Sequence, residues 1–75
     1  ATAHVVGVFH ERRDEPVVVG DRVGLGDVLG MIDTMRIPNE CVAPVAGRIV
    51  AVLVRDGVPV EYGQPLYEIA PGDAA

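Results

Sequence analysis

Gly30-Met31-Ile32-Asp33-Thr34-Met35-Arg36-Ile37-Pro38-Asn39-Glu40 sits at the centre of a 75-residue chain. Two β-prone arms, Val28–Thr34 and Ile37–Ala43, flank it, so Asp33 to Pro38 is expected to be a connecting hairpin with Met35-Arg36 at its tip. A two-residue hairpin loop normally carries Asn-Gly or a similar pair, because both positions need positive φ. Met-Arg breaks that rule. Either the turn is an ordinary longer one, or the pair marks a functional or relict site.

Outward from the hairpin, no segment keeps a helical period. Short Val/Ile/Leu-rich runs recur between Gly, Pro and Asp, the pattern of an all-β barrel or sandwich. Further strands are expected at His4–Phe9, Pro16–Val19, Arg48–Val54 and Leu66–Ile69. Turn signals stand at Gly20-Asp21, Gly24 to Gly26, Asp56-Gly57 and Tyr62-Gly63. No linker divides the chain. A single domain over 1–75 is expected, with its core at about 4–69 and a tail at 70–75, of which Pro71 to Ala75 looks frayed.

An internal repeat runs through these runs. At an offset of 37 residues Gly20 meets Gly57, Val23 meets Val60, Gly26 meets Gly63, Leu29 meets Leu66 and Ile32 meets Ile69. Upstream, Gly7 meets Gly47 at an offset of 40, which leaves about three extra residues in the charged loop His10-Glu11-Arg12-Arg13-Asp14-Glu15. Two similar halves imply a pseudo-twofold β structure.

Composition narrows the function. The chain has no lysine; its six basic residues are Arg12, Arg13, Arg22, Arg36, Arg48 and Arg55, against eleven carboxylates and a net charge of −5. Such a chain lacks the basic footprint of a nucleic-acid binder and a polybasic patch for an anionic membrane. No apolar run is long enough to span a bilayer. A lone cysteine, Cys41, forms no intrachain disulfide, which fits a reducing compartment; the cytoplasm is the expected location. The start at Ala1-Thr2-Ala3 suggests a domain cut from something longer. At this size a single core is only just sufficient.

The hairpin, the Ala43-Pro44-Val45-Ala46-Gly47-Arg48-Ile49 stretch and the run from Gly57 to Leu66 resemble the biotin carboxyl carrier family, as do Val19-Gly20-Asp21-Arg22-Val23 and Gly26-Asp27-Val28-Leu29. The resemblance covers about His4 to Ile69. It implies a flattened pseudo-twofold β-barrel of two four-stranded antiparallel sheets, with the hairpin tip at one end and both termini at the other. The loop from His10 to Pro16 falls where some bacterial carriers insert a projecting thumb. In that family the tip reads Glu-Ala-Met-Lys-Met, with the biotinylated lysine at the apex. Here Asp33 replaces Glu, Thr34 replaces Ala, Ile37 replaces Met, and Arg36 stands at the attachment position. The resemblance gives Asp33 a part in ligase recognition.

Attachment needs a neutral primary amine. Arginine's guanidinium stays protonated and its lone pairs are delocalised. With no lysine elsewhere, neither biotin nor a lipoyl group is expected as a cofactor. Asp33, Thr34, Met35, Arg36 and Ile37 become a candidate partner-recognition tip, in which a planar five-donor fork suits a carboxylate or phosphate. Alternatively Arg36 is a solvated relict.

Other chemistry is thinly supported. His4, His10 and Cys41 are the candidate catalytic residues, a Cys-His dyad requiring the fold to bring His4 or His10 beside Cys41. Otherwise Cys41 is a buried small hydrophobe. No zinc spacing exists, so no metal is expected. Asp14, Glu15, Asp21, Asp27, Asp56 and Glu61 lie in turns and are assigned to solubility and partner docking. Gly24 and Gly26 precede no phosphate-loop helix.

Three functions fit. One is a degenerate carrier, a non-enzymatic interaction module linked to an acyl-CoA carboxylase or to fatty-acid or polyketide biosynthesis, with those enzymes as protein partners. The Arg, Val and Gly bias hints at a bacterial source. A second is a repurposed small enzyme or binding protein for an acyl or polyketide-type intermediate. The third is a true carrier with Lys→Arg introduced in the laboratory, which comparison with the native gene decides. Homodimerisation through a sheet edge is a further expectation.

Overall fold

A computed structural model describes residues 1–72. Seven strands follow in order: β1 Gly7–Glu11, β2 Arg22–Val23, β3 Val28–Thr34, β4 Ile37–Val42, β5 Gly47–Val52, β6 Pro59–Val60 and β7 Tyr67–Pro71. They form two antiparallel sheets, ordered β4-β3-β1-β6 and β2-β5-β7. The all-β architecture and the flattened two-sheet barrel agree with the sequence reading. The second sheet, however, carries three strands among the described residues. A single Thr2–Pro65 bridge stands where its fourth strand would begin.

The sheets close on an apolar core. Phe9, Leu29, Ile49 and Leu66 are wholly inaccessible, and Ile32, Cys41, Val54, Val60 and Tyr67 pack around them. Among the described residues no polar or charged residue is buried, so no desolvation penalty of that kind opposes the apolar burial. No helix among them is long and apolar enough to cross a membrane.

The repeat is a repeat of hydrogen bonds. Gly20 N–H donates to Ile49 O at 2.8 Å, and Gly57 N–H to Phe9 O at 2.7 Å. Ile49 N–H donates to Asp21 O at 2.8 Å, as Phe9 N–H does to Val58 O at 2.9 Å. Ala43 N–H to Asp27 O is matched by Ala3 N–H to Gln64 O. Val8 opposes Asp33, and Arg48 opposes Ala70. Gly7 and Gly47 show why the two glycines recur. A Cβ on Gly7 would strike the Asp33 carbonyl oxygen, and a Cβ on Gly47 the Ala70 carbonyl oxygen.

Several expected boundaries move. β3 runs as expected, and β4 stops at Val42 rather than Ala43. The first strand starts at Gly7 rather than His4 and continues through His10 and Glu11, because its ladder with β3 extends to the Glu11–Gly30 pair. The charged loop is therefore only Arg12 to Pro16. Pro16–Val19 is no strand: Pro16 has no N–H to give a ladder, and Val18 N–H donates to Asp21 Oδ2 at 3.0 Å. β5 spans Gly47–Val52 in place of Arg48–Val54. Ala70 and Pro71 belong to β7 rather than to a tail, and Gly72 N–H donates to Ala46 O. The rest of the expected tail, 73–75, lies outside the described residues.

Candidate functional site

β3 and β4 meet in a two-residue loop. Thr34 pairs with Ile37 and Asp33 with Pro38, leaving Met35 and Arg36 as the only unpaired residues between the arms. Their φ angles are 46° and 74°. Both are positive, as a type I′ hairpin loop requires. The longer-turn alternative is thereby set aside. Holding two side-chain-bearing residues in this region costs about 1–3 kcal/mol each.

Lateral hydrogen bonds brace the strained loop. Thr34 Oγ1 donates to Ile37 O at 3.3 Å. Asn39 Nδ2 donates to Thr34 Oγ1 and to Ile37 O, both at 3.1 Å, and reaches Ile32 O at 3.4 Å. Beyond this brace Met35 is 94% exposed, and Ile37 and Arg36 are exposed as well. Arg36 makes no hydrogen bond or ion pair among the described residues. The tip thus presents a thioether and a free guanidinium on a fixed backbone.

A second cluster lies below the tip on the outer face of the four-stranded sheet. His10 Nε2 stands 3.2 Å from Asp33 Oδ2, and its Nδ1 stands 3.6 Å from Asp56 Oδ1. Asp56 Oδ1 is itself fixed by the Glu11 N–H at 2.8 Å. All three side chains are partly exposed. They border an open cleft of about 610 Å³, floored by Met31 and Pro38 and walled by the Arg12–Pro16 loop. Arg12 holds that wall in place through Nε and Nη2 to Glu15 O at 3.0 and 2.8 Å, and Nη1 to Val28 O at 3.3 Å.

The candidate catalytic residues do not assemble into one site. His10 joins Asp33, not Cys41. His4 and Cys41 border one small cavity of about 130 Å³ with Asn39, but no hydrogen bond joins them among the described residues. Burial pushes the Cys41 thiol pKa up, with the N-terminal ammonium only partly opposing it. The thiol is held protonated, the opposite of what a nucleophile needs. Tyr67 is likewise pushed up, first by burial and then by Cys41 and Glu11, while Arg12 opposes. Its hydroxyl donates to Leu29 O at 3.3 Å.

Sequence reasoning missed Asn39, and it left Asp56 among the generic turn carboxylates. For Asn39 no sequence signal existed. For Asp56 the signal was the repeat: Gly57 matches Gly20, which lays the Asp56 turn against β1.

A lysine-free apex bears on the group such hairpins carry. Attachment requires a side-chain amine, and the residues present offer none. The Ala1 ammonium donates to Tyr67 O at 2.9 Å instead of standing at the tip. At the apex a guanidinium stands where such attachment would use an amine.

Fold and tip together define a carrier-type β-barrel, a small two-sheet domain with a braced, exposed hairpin. A family model described as "Biotin-requiring enzyme" matches residues 6–69. The chain is 46% identical over 72 residues to the biotin carboxyl carrier protein of acetyl-CoA carboxylase from Nostoc sp., covering 89% of this chain and 39% of that protein. It is 43% identical over 69 residues to the Pseudomonas aeruginosa protein of the same name, covering 87% and 44%. A single-chain, multi-domain long-chain acyl-CoA carboxylase superposes with a TM-score of 0.84 at 29% identity, over 97% of this chain and 7% of that one. The chain belongs to the biotin carboxyl carrier family. It spans about two fifths of the length of the curated relatives it matches.

Proposed function

We propose that this domain serves a biotin-dependent acyl-CoA carboxylase system as a docking module and does not itself ferry carboxyl groups. The observation that carries the reading is Arg36 at the apex of an intact, braced type I′ loop. The strained presentation is kept while the attachable amine is absent. The natural partner for an exposed guanidinium fork is a carboxylate or phosphate on the face of a carboxylase or of an enzyme in fatty-acid or polyketide synthesis. No biotin or lipoate is carried, and the setting is cytoplasmic.

Treating the domain with a biotin ligase, ATP and biotin should leave its mass unchanged, while Arg36→Lys should gain one biotinyl group. Biotinylation of the unaltered chain would overturn the reading. Arg36→Ala should weaken binding to the cognate carboxylase subunits about tenfold, the loss of one charge-assisted contact. Unchanged affinity would leave Arg36 a relict.

The cleft beside His10 favours a second reading, a binding site for a small acyl or polyketide-type intermediate. Incubation with such intermediates, followed by calorimetry and product analysis, tests it. Neither heat nor turnover would remove it.

A further inference from the structure

The tip and the cleft beneath it form one continuous surface with complementary ends. The Thr34–Ile37 pair closes the loop, and the next pair, Asp33–Pro38, already borders the cleft. At the tip an exposed Arg36, without a hydrogen bond or ion pair among the described residues, stands between Met35 and Ile37. Those two apolar neighbours are 94% and 63% accessible. The cleft offers the converse: half-exposed Asp33 and Asp56 over an apolar lining of Met31, Pro16 and Pro38. Asp33, opposite Val8, marks the end of the cleft nearest the tip. Arg12 and Arg13 follow the Glu11–Gly30 pair at the far end, and Arg12 is engaged with the Glu15 and Val28 carbonyls. The fold does not require these carboxylates, since Ala70 and Val19 take the repeat-related positions.

We propose that this surface is a self-association site, where two copies pack hairpin against hairpin about a twofold axis. Each Arg36 enters the other copy's cleft beside Asp33 and Asp56. In a twofold contact one patch must carry both members of every pair, and this patch carries guanidinium and carboxylates together. Antiparallel hairpins need overlap by only two residue steps, about 7 Å, to set each loop over the other copy's Asp33. Met35 and Ile37 then cover the apolar lining. The contact is through the sheet face, not its edge: the edge strand β4 carries Pro38, which has no N–H to give an added strand. A net charge of −5 on each copy opposes association. Two tips and two clefts bury less than about 1,200 Å² in total, so the dimer is weak and transient.

The test is sedimentation equilibrium of the domain alone over a wide concentration range, with ¹⁵N amide shifts followed on dilution. Mass should rise toward the dimer as concentration increases. The amides of Met31, Asp33, Met35, Arg36 and Asp56 should shift together, while those of Glu61 and Gln64 stay still. Arg36→Asp and Asp33→Arg should each weaken self-association at least about tenfold, because each sets like charges opposite one another. Mixing the two variants should restore association, since every facing pair is then opposite in sign. Amide dispersion reports that each variant is folded.

A domain that stays monomeric throughout would overturn the proposal, as would a dimer that neither variant weakens or a mixture that fails to associate. A monomeric domain whose cleft amides respond only to an added carboxylase subunit would make that subunit the occupant, and would also overturn it. Failure of self-association leaves the carboxylase reading standing, because no carboxylase takes part in the first measurements. Success means that the dimer and the carboxylase compete for Arg36.

Discussion

Phe9 on β1 and Ile49 on β5 occupy equivalent places, as do Gly30 on β3 and Tyr67 on β7. In the first half a large ring lies over a glycine: a Cβ on Gly30 would come within 2.6 Å of Phe9 Cζ. In the second half a smaller aliphatic residue is paired with a large ring. Phe9 and Tyr67 then meet edge to face, with centroids 6.0 Å apart and ring planes at 60°. The halves share a backbone, and their core residues differ in compensating pairs. Outside, the differences do not compensate: one face carries His10, Asp33 and Asp56, and the other carries Val50, Ala70 and Val19. Differences that balance one another belong to packing, and those that do not are where function is to be sought.

Leu29 and Leu66 are the strictest test of equivalence, since both are wholly buried at matched positions. Leu29→Ala and Leu66→Ala should each destabilise by about 3–4 kcal/mol in urea unfolding. A difference between them above about 1 kcal/mol would break the comparison, because equivalent sites should collapse equally.

Gly30→Ala tests the compensation itself and should cost about 2–3 kcal/mol, since the new methyl meets the Phe9 ring and the His10 carbonyl oxygen. Adding Phe9→Ile, the residue the second half uses, should return more than half of that loss. Strict additivity in this double-mutant cycle would mean the two positions do not pack as a pair.

Cys41 and Tyr67 sharpen the comparison through pH. Both are acids whose folded pKa lies above the unfolded values of 9.0 and 10.0. Their contribution is therefore complete below those values, and it falls away as pH rises past them, when the unfolded chain releases protons that the folded chain keeps. The slope should approach about 1.4 kcal/mol per pH unit for each group. Cys41→Ala should remove the part that begins near the thiol's unfolded value and leave the tyrosine part. A stability curve that stays flat through pH 11 would show that neither group is protected.

Much of this architecture was legible. The repeat offsets named the residues whose backbone bonds recur, because a glycine that must pass a carbonyl leaves a fixed mark, as Gly7 and Gly47 do. Strands that exist only through pairing left none. Arg22-Val23 and Pro59-Val60 are two residues each, and their ladders come from β5 and β1 rather than from their own propensity. Pro16–Val19 misled for the converse reason, strong propensity without a partner. His10, Asp33 and Asp56 are far apart in sequence and meet only because Asp33 lies diagonally from His10 across the antiparallel β1–β3 pair while Gly57 seats its turn on Phe9. Such a cluster cannot be read before the register is known.

The smallest effect concerns the tip. Met35 corresponds in the repeat to Gly72, which adopts φ of 73° without a side chain to resist it. The second half satisfies that conformation with glycine, whereas the first half imposes it on methionine and then on Arg36. Replacing Met35-Arg36 by Asn-Gly should therefore stabilise the domain by about 1 kcal/mol, part of the relieved strain being offset by the greater freedom of glycine in the unfolded chain. The same change should weaken docking to a carboxylase partner. A gain in stability without loss of docking would mean that the strained pair presents nothing a partner reads. A loss of stability would mean that Met35 and Arg36 make contacts that outweigh their φ, which their exposure contradicts.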